Sequence, residues 1–186
     1  MNMITNNDIQ LIDLGLPSGT LWADRNIGAN SPEETGDYYR FGETVEFMEG
    51  SPEYVYDEIR GDIAGTDRDT ATVNLGKKYR MPTFDQIKEL LDECKWKFAE
   101  QNGVKGMEVT GPNDNSIFFP VSGFRSIYDG SLHDVGSYGY YWSASAYSNN
   151  DGYGLYFYSV SWYWYYDYRA YGLQVRAVAA QSAIRH

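Results

Sequence analysis

Residues 158–172 read YSVSWYWYYDYRAYG, and more than half of them are aromatic. Trp162, Tyr163, Trp164, Tyr165, Tyr166, Tyr168 and Tyr171 are gathered there almost without charge. A core is a poor home for such a run, because every buried tyrosine hydroxyl needs a hydrogen-bond partner and Leu or Val would fill the same space without that demand. Read as a strand, Tyr158, Val160, Trp162, Trp164, Tyr166 and Tyr168 share one face, and Ser159, Ser161, Tyr163, Tyr165 and Asp167 share the other. Neither face is cleanly apolar, so regular burial on both sides is not expected. Tyr, Trp, Ser, Gly and Asp are instead the composition of a paratope, in which rigid aromatics supply contact area at low rotamer cost. The plainer alternative is a tyrosine-rich segment with a purely architectural role.

The chain around this segment has 186 residues, 42% of them hydrophobic, enough for one packed domain. Its formal net charge of −11 and lack of any Lys or Arg run argue against nucleic acid or an anionic membrane as partner. The last lysine is Lys105, and between Tyr138 and Tyr171 only Asp151, Asp167 and Arg169 are charged. Cys94 is the single cysteine, which excludes an intrachain disulfide and a multi-cysteine zinc site, and it reads as a small core residue. No segment approaches the roughly 20 apolar residues of a membrane span. MNMITNNDIQLID shows no signal peptide, so a virion-associated or cytoplasmic protein is expected, or a cell-surface one if a leader has been removed.

Local signals predict a mixed α and β domain in which short strands outnumber helices. The clearest helix is MPTFDQIKELLDEC: Thr83 caps it, Gln86 completes a capping box, and Phe84, Ile87, Leu90, Leu91 and Cys94 form its apolar face. Ser31-Pro32-Glu33-Glu34 carries the signals of another helix start, ended by Gly36. Val104–Thr110 and Ser116–Phe119 flank the turn sequence GPNDN and read as a hairpin. Further strands are expected at Tyr138–Ala146, Leu155–Ser159 and Gln174–Val178. Glu43–Asp69, acidic and aperiodic with Gly50, Pro52, Gly61 and Gly65, reads as a long surface excursion.

Raw material for catalysis is thin. His133 lies in the turn-like DGSLHDVGS, and His186 ends the sequence. Asp67 and Asp69 in GTDRDT lack the graded spacing and closing glutamate of a calcium loop and read as a solvated loop. Glu43, Glu46 and Glu49 read as a charged surface face without an acid–base pair.

IDLGLPSGTLWA (12–23), NIGANSPEETGDYYRFGE (26–43), YRMPTFDQIKELLDEC (79–94), GSYGYYWSAS (136–145) and QVRAV (174–178) together resemble the Fibrobacter succinogenes major paralogous domain, common in Bacteroides proteins. That group is similar to the C-type-lectin-fold and formylglycine-generating-enzyme-like proteins. The resemblance implies an α+β chain with a C-type lectin fold: a small twisted antiparallel sheet, flanking helices and long irregular loops facing a ligand. Relatives carry an asparagine-rich run around a tryptophan, roughly NWNNNNR, where this chain reads YWYYDYR (163–169). Trp164, Arg169, Gly172, Val175 and Arg176 match that framework, while Tyr163, Tyr165, Tyr166, Asp167, Tyr168 and Tyr171 replace asparagines. An asparagine codon AAC becomes a tyrosine, aspartate or serine codon by changing one adenine, the kind of change made by diversity-generating retroelements. The chain therefore looks like a retroelement variable protein. Formylglycine chemistry would need a cysteine pair, and GPND at 111–114 and YWSA at 141–144 do not complete a calcium-lectin signature, so neither activity is carried over.

The expected organisation is an N-terminal segment 1–11, one C-type-lectin-like domain 12–180 with its variable segment at about 153–172, and a tail 181–186. The expected function is non-enzymatic recognition, without metal or cofactor, of a protein or glycan on a bacterial surface, for example by a phage receptor-binding protein. Ligand contacts are expected from Tyr153, Tyr156, Tyr158, Ser161, Tyr163, Tyr165, Tyr166, Asp167, Tyr168 and Tyr171, held by a packed scaffold of Trp142, Trp164, Arg169, Gly172 and Arg176. No nucleic acid or membrane insertion is expected, and homo-oligomerisation is allowed. The alternative is a structural subunit of a virion or cell-surface assembly, with its aromatic surface buried in an obligate interface.

Overall fold

The computed structural model describes residues 8–184; residues 1–7 of the expected N-terminal segment, and His186 with its neighbour in the tail, lie outside the described residues. Among the described residues the α-helices are α1 (Thr70–Leu75) and α2 (Phe84–Glu93), and a 3-10 turn follows at Gln181–Ile184. In α2 the Thr83 side chain accepts from the Gln86 N–H, and the Gln86 side chain reaches back to the Thr83 N–H, as the capping signals predict. Ile87 and Leu90 are buried, whereas Cys94 is half-buried and its thiol pKa is pushed up to about 11, first by burial and then by Glu89 and Glu93.

Among the described residues the strands are short, antiparallel and distributed over four sheets. The resemblance implied one small sheet, so this is a coarser match: a mixed α+β fold built from several small sheets. β1 (Leu11–Asp13) and β2 (Leu21–Ala23) pair, and β11 (Val178–Ala179) joins β2. β3 (Lys95–Gln101), β4 (Val104–Thr110) and β5 (Ser116–Pro120) form a meander. The β4–β5 hairpin is the one that GPNDN signals, with Asp114 at φ 69°. β6 (Phe124–Arg125) pairs with β7 (Leu132–His133). The fourth sheet has the order β10 (Ser161–Tyr168), β9 (Asp151–Tyr158), β8 (Gly139–Ala146).

This last sheet divides the core. Tyr141, Leu155 and Phe157 point to one side, where they join Trp22, Ile87, Leu90, Trp96 and Phe119. Trp142, Ala144 and Tyr156 point to the other, where they join Tyr39, Phe41, Met81 and Val175. β8 and β9 are thus buried on both faces, and β10 is the strand that projects past the core.

Several expectations are corrected. Ser31–Glu34 is a single turn closed by Glu34 N–H to Ser31 C=O at 3.3 Å; no apolar face follows it, and Gly36 lies so close to the Ile27 carbonyl that a Cβ would sit 2.2 Å from it. The expected strand at Gln174–Val178 has a bridge from Gln174 to Tyr141, then single backbone hydrogen bonds from the Ile27 and Ala23 N–H groups to the Val175 and Ala177 carbonyls, and becomes a ladder only at Val178–Ala179. Ile9 is buried in the core and Leu11 opens β1, while Asp8 and Gln10 are exposed. Asp69 is not solvated: it is fully buried, caps α1 through the Ala71 and Thr72 N–H groups, and also accepts from Gly65 and Met81. The Glu43–Asp69 excursion carries neither helix nor strand, but it is pinned by buried Phe47, Tyr54, Ile59 and Ile63.

Candidate functional site

The aromatic run is the outer arm of a hairpin. β10 pairs with β9 without a break from Ser161↔Tyr158 to Tyr168↔Asp151, and the exposed Ser159–Val160 turn joins them. Backbone hydrogen bonds to β9 run the length of the strand, and its side chains project alternately from the two faces.

On the face turned toward α2, the rings of β10 rest against the core at its margin. Trp162 stacks on Trp96 at 6.3 Å, and Trp164 meets the ring of Phe84 edge-on at 5.0 Å. Phe84 in turn lies face to face with Tyr153 at 4.1 Å, and Tyr166 lies flat on Tyr147 at 4.0 Å. On the opposite face Tyr156 is the centre: Tyr163 stacks on it at 6.1 Å, and Tyr165 and Tyr140 meet it edge-on at 6.2 and 5.3 Å. Tyr138 and Tyr158 form a further pair, and Tyr171 bridges Tyr168 to Phe124.

Exposure sorts the expected residues. Tyr163, Tyr165 and Tyr168 are 41%, 51% and 52% exposed, and Tyr153, Tyr158, Ser161, Tyr166, Asp167 and Tyr171 are half-buried. Two placements are corrected. Trp164, expected to be packed scaffold, is 43% exposed, because β10 lies beyond the core and Phe84 covers only part of its ring. Tyr156, expected to be a contact, is 4% exposed and forms the floor beneath Tyr163 and Tyr165.

The remaining scaffold residues are buried. Trp142 donates its indole N–H to the Tyr39 carbonyl at 2.8 Å. Arg169 directs its guanidinium inward to the carbonyls of Asp57, Ile59 and Ser148, tying the excursion to the hairpin. Arg176 reaches Asn26 and the carbonyls of Ala23 and Phe118, with its guanidinium over the Phe119 ring at 4.4 Å; burial lowers its pKa to about 10, so it stays charged at neutral pH. Gly172 exchanges backbone hydrogen bonds with Arg125, and Phe47 fills the space a side chain would need.

Sequence reasoning missed Tyr138, Tyr140, Tyr147 and Phe84 as parts of this surface. The signal for two of them was present, since alternation in Tyr138–Ala146 puts Tyr138 and Tyr140 on one side. A second recess, a cleft of about 580 Å³, lies between the 47–56 and 127–130 segments, where Arg40 sits between the rings of Phe47 and Tyr54.

His133 is exposed, with its Nε2 3.0 Å from Ser131 Oγ, while Asp129 accepts from that same hydroxyl at 2.6 Å. This is a serine-centred turn, not an aspartate that orients a histidine. Among the described residues no group of three or more His, Cys, Asp or Glu is placed to hold a metal ion, and no described helix is long and apolar enough to cross a membrane.

A family model described as a domain of unknown function (DUF8237) matches residues 88–178. The match covers just under half of the chain, from within α2 to β11, and includes the whole aromatic hairpin. No curated protein and no solved structure matches the chain.

Proposed function

We propose that this chain is a non-enzymatic recognition domain that binds a protein or glycan on a bacterial surface through the aromatic face of the β9–β10 hairpin. The observation that carries it is the exposure of Trp162, Tyr163, Trp164, Tyr165 and Tyr168, which project from both faces of a strand paired with β9 along its whole length. Rigid aromatics of this kind dominate binding hot spots. The finer reading is a retroelement-diversified variable protein on a C-type lectin fold, for example a phage receptor-binding protein. The asparagine-to-tyrosine pattern at 163–171, the small antiparallel sheets and the long irregular excursion support it.

The test has two arms. Glycan and surface-protein arrays are probed with the chain and with a variant carrying Asn at 163, 165, 166 and 168; hits that survive in the variant place binding elsewhere. Sequencing beside the gene tests the diversification reading: a reverse-transcriptase gene and a near-copy of the 3′ coding segment that differs at adenines support it, and their absence sinks it while leaving recognition standing.

A structural subunit is favoured by one feature, the indoles of Trp162 and Trp164 both lying about two-fifths open on the outermost strand. Self-association that is independent of dilution, with those indoles protected, would establish that alternative.

A further inference from the structure

Asp167 is an isolated carboxylate on the aromatic face. In the β9–β10 register it opposes Gly152, and Tyr165 opposes Gly154, so β9 places no side chain across from either. Tyr156 leans over Gly154, with its Cε2 and hydroxyl 3.1 and 3.3 Å from where a Cβ would stand there. That lean carries the hydroxyl toward the Gly152 end, where Asp167 sits. The hydroxyl is buried and has no hydrogen-bond partner. The field of Asp167 is felt by the phenols of both Tyr156 and Tyr171, second to burial in each case.

No cation answers this carboxylate. None of the ion pairs among the described residues includes Asp167. The like charge of Asp151 bears on it as well. Arg169, two residues on, is fully buried and turned to the carbonyls of Asp57, Ile59 and Ser148. Asp167 Oδ1 accepts the Tyr168 N–H at 2.8 Å, which leaves Oδ2 open.

A half-buried carboxylate gains from a nearby positive charge, and the faces of tyrosine rings attract one as well. Both terms repel an anion. One open oxygen suits a compact point charge better than the two-pronged fork of a guanidinium. We infer that the face built from Tyr156, Tyr163, Tyr165, Asp167 and Tyr171 recognises an organic ammonium group, of the kind that a lysine side chain of a protein ligand presents. The inference rests on the recognition function proposed above and names the chemistry of its ligand.

The test is NMR titration of the tyrosine ring resonances, at constant ionic strength, with tetramethylammonium, Nα-acetyl-lysine methylamide and its uncharged Nε-acetylated counterpart. The two cations are expected to shift Tyr163, Tyr165 and Tyr171 saturably, and the uncharged counterpart is not. Asp167→Asn should weaken cation binding about fivefold, Tyr165→Phe should preserve it, and Tyr165→Ala should weaken it by a similar factor. Failure of the cations to bind, an equal response to the uncharged probe, or an Asp167→Asn variant that binds as the parent does would each overturn the inference. Array hits that depend on the tyrosines but not on Asp167 would leave recognition intact and remove only its cationic character.

Discussion

Phe84, the first residue of α2, lies face to face with Tyr153 of β9, their rings 4.1 Å apart and 16° from parallel. The helix with the most legible start in the chain therefore braces the hairpin that carries the aromatic surface, and Trp164 adds its edge to the same pair. Replacing Phe84 by Ala removes both ring contacts and part of the helix's apolar face. A loss of roughly 1–3 kcal/mol in urea unfolding is expected, less than for a fully buried phenylalanine because Phe84 is half-exposed.

Joint replacement of Tyr163, Tyr165, Tyr166 and Tyr168 by Asn should leave the fold standing. Surface changes cost about 0.5 kcal/mol or less each, although the Tyr166–Tyr147 and Tyr163–Tyr156 stacks add a share of roughly 0.5–1.5 kcal/mol each. Tyr156→Asn alone should be worse than all four together, since it empties the floor of the surface. Thermal melts of the two variants compare them directly.

Asp167 should make stability depend on pH. Burial raises its carboxyl pKa from 3.8 to about 6, with Asp151 adding to the rise and the Tyr168 N–H opposing it. Between those values the folded chain holds a proton that the unfolded chain has released. The stabilisation is complete below the unfolded pKa and is lost as pH rises through about 6, so at neutral pH the ionised group is a cost. Asp167→Asn is expected to raise the melting temperature by a few degrees at pH 7, and to change it little near pH 3.5. Tyr156 and Tyr171, the phenols that feel its field, remain neutral over this range.

Arg169→Met should be among the most damaging single changes in the hairpin. It strips donors from the carbonyls of Asp57, Ile59 and Ser148, and unpaired buried acceptors cost roughly 1–3 kcal/mol each. Arg169→Lys cannot span three carbonyls with one ammonium and should recover only part of the loss. Limited proteolysis should then cut first within the 43–69 excursion, because Arg169 fastens it at Asp57 and Ile59, alongside the Arg68–Asp57 ion pair and the burial of Ile59.

Where structure was legible, a local chemical signal coincided with burial. Thr83 and Gln86 announced α2, and Gly111 to Asn115 announced the β4–β5 turn. β3 was missed although Trp96 and Phe98 alternate with Lys95 and Lys97, because the flanking helix signal ran into it without a turn residue. α1 is six residues long and depends on Asp69, whose burial comes from Gly65 and Met81 folding around it and leaves no trace in local sequence. At the surface, the tyrosine replacements pointed to exposed positions. The match of Trp164 to a framework residue pointed inward, and only the position of β10 beyond the core decides that it faces out. Tyr156 shows the converse, a tyrosine like its neighbours that the second face of a central strand buries.

Among the described residues β10 closes its sheet with no strand on the far side. Arg169 N–H donates to Asn150 C=O on the β9 side, while Tyr168 N–H is taken by the Asp167 side chain, so by alternation the peptide groups of Trp162, Trp164 and Tyr166 point away from β9. Sheets commonly guard such a margin with lysine, proline or a bulge, and SWYWYYDY has none of these. The margin is thus an open template for any extended chain that drifts alongside, including another copy of β10. Raising the concentration of this chain is expected to favour lateral pairing along that margin, against the mutual repulsion of chains that each carry a net charge of −11.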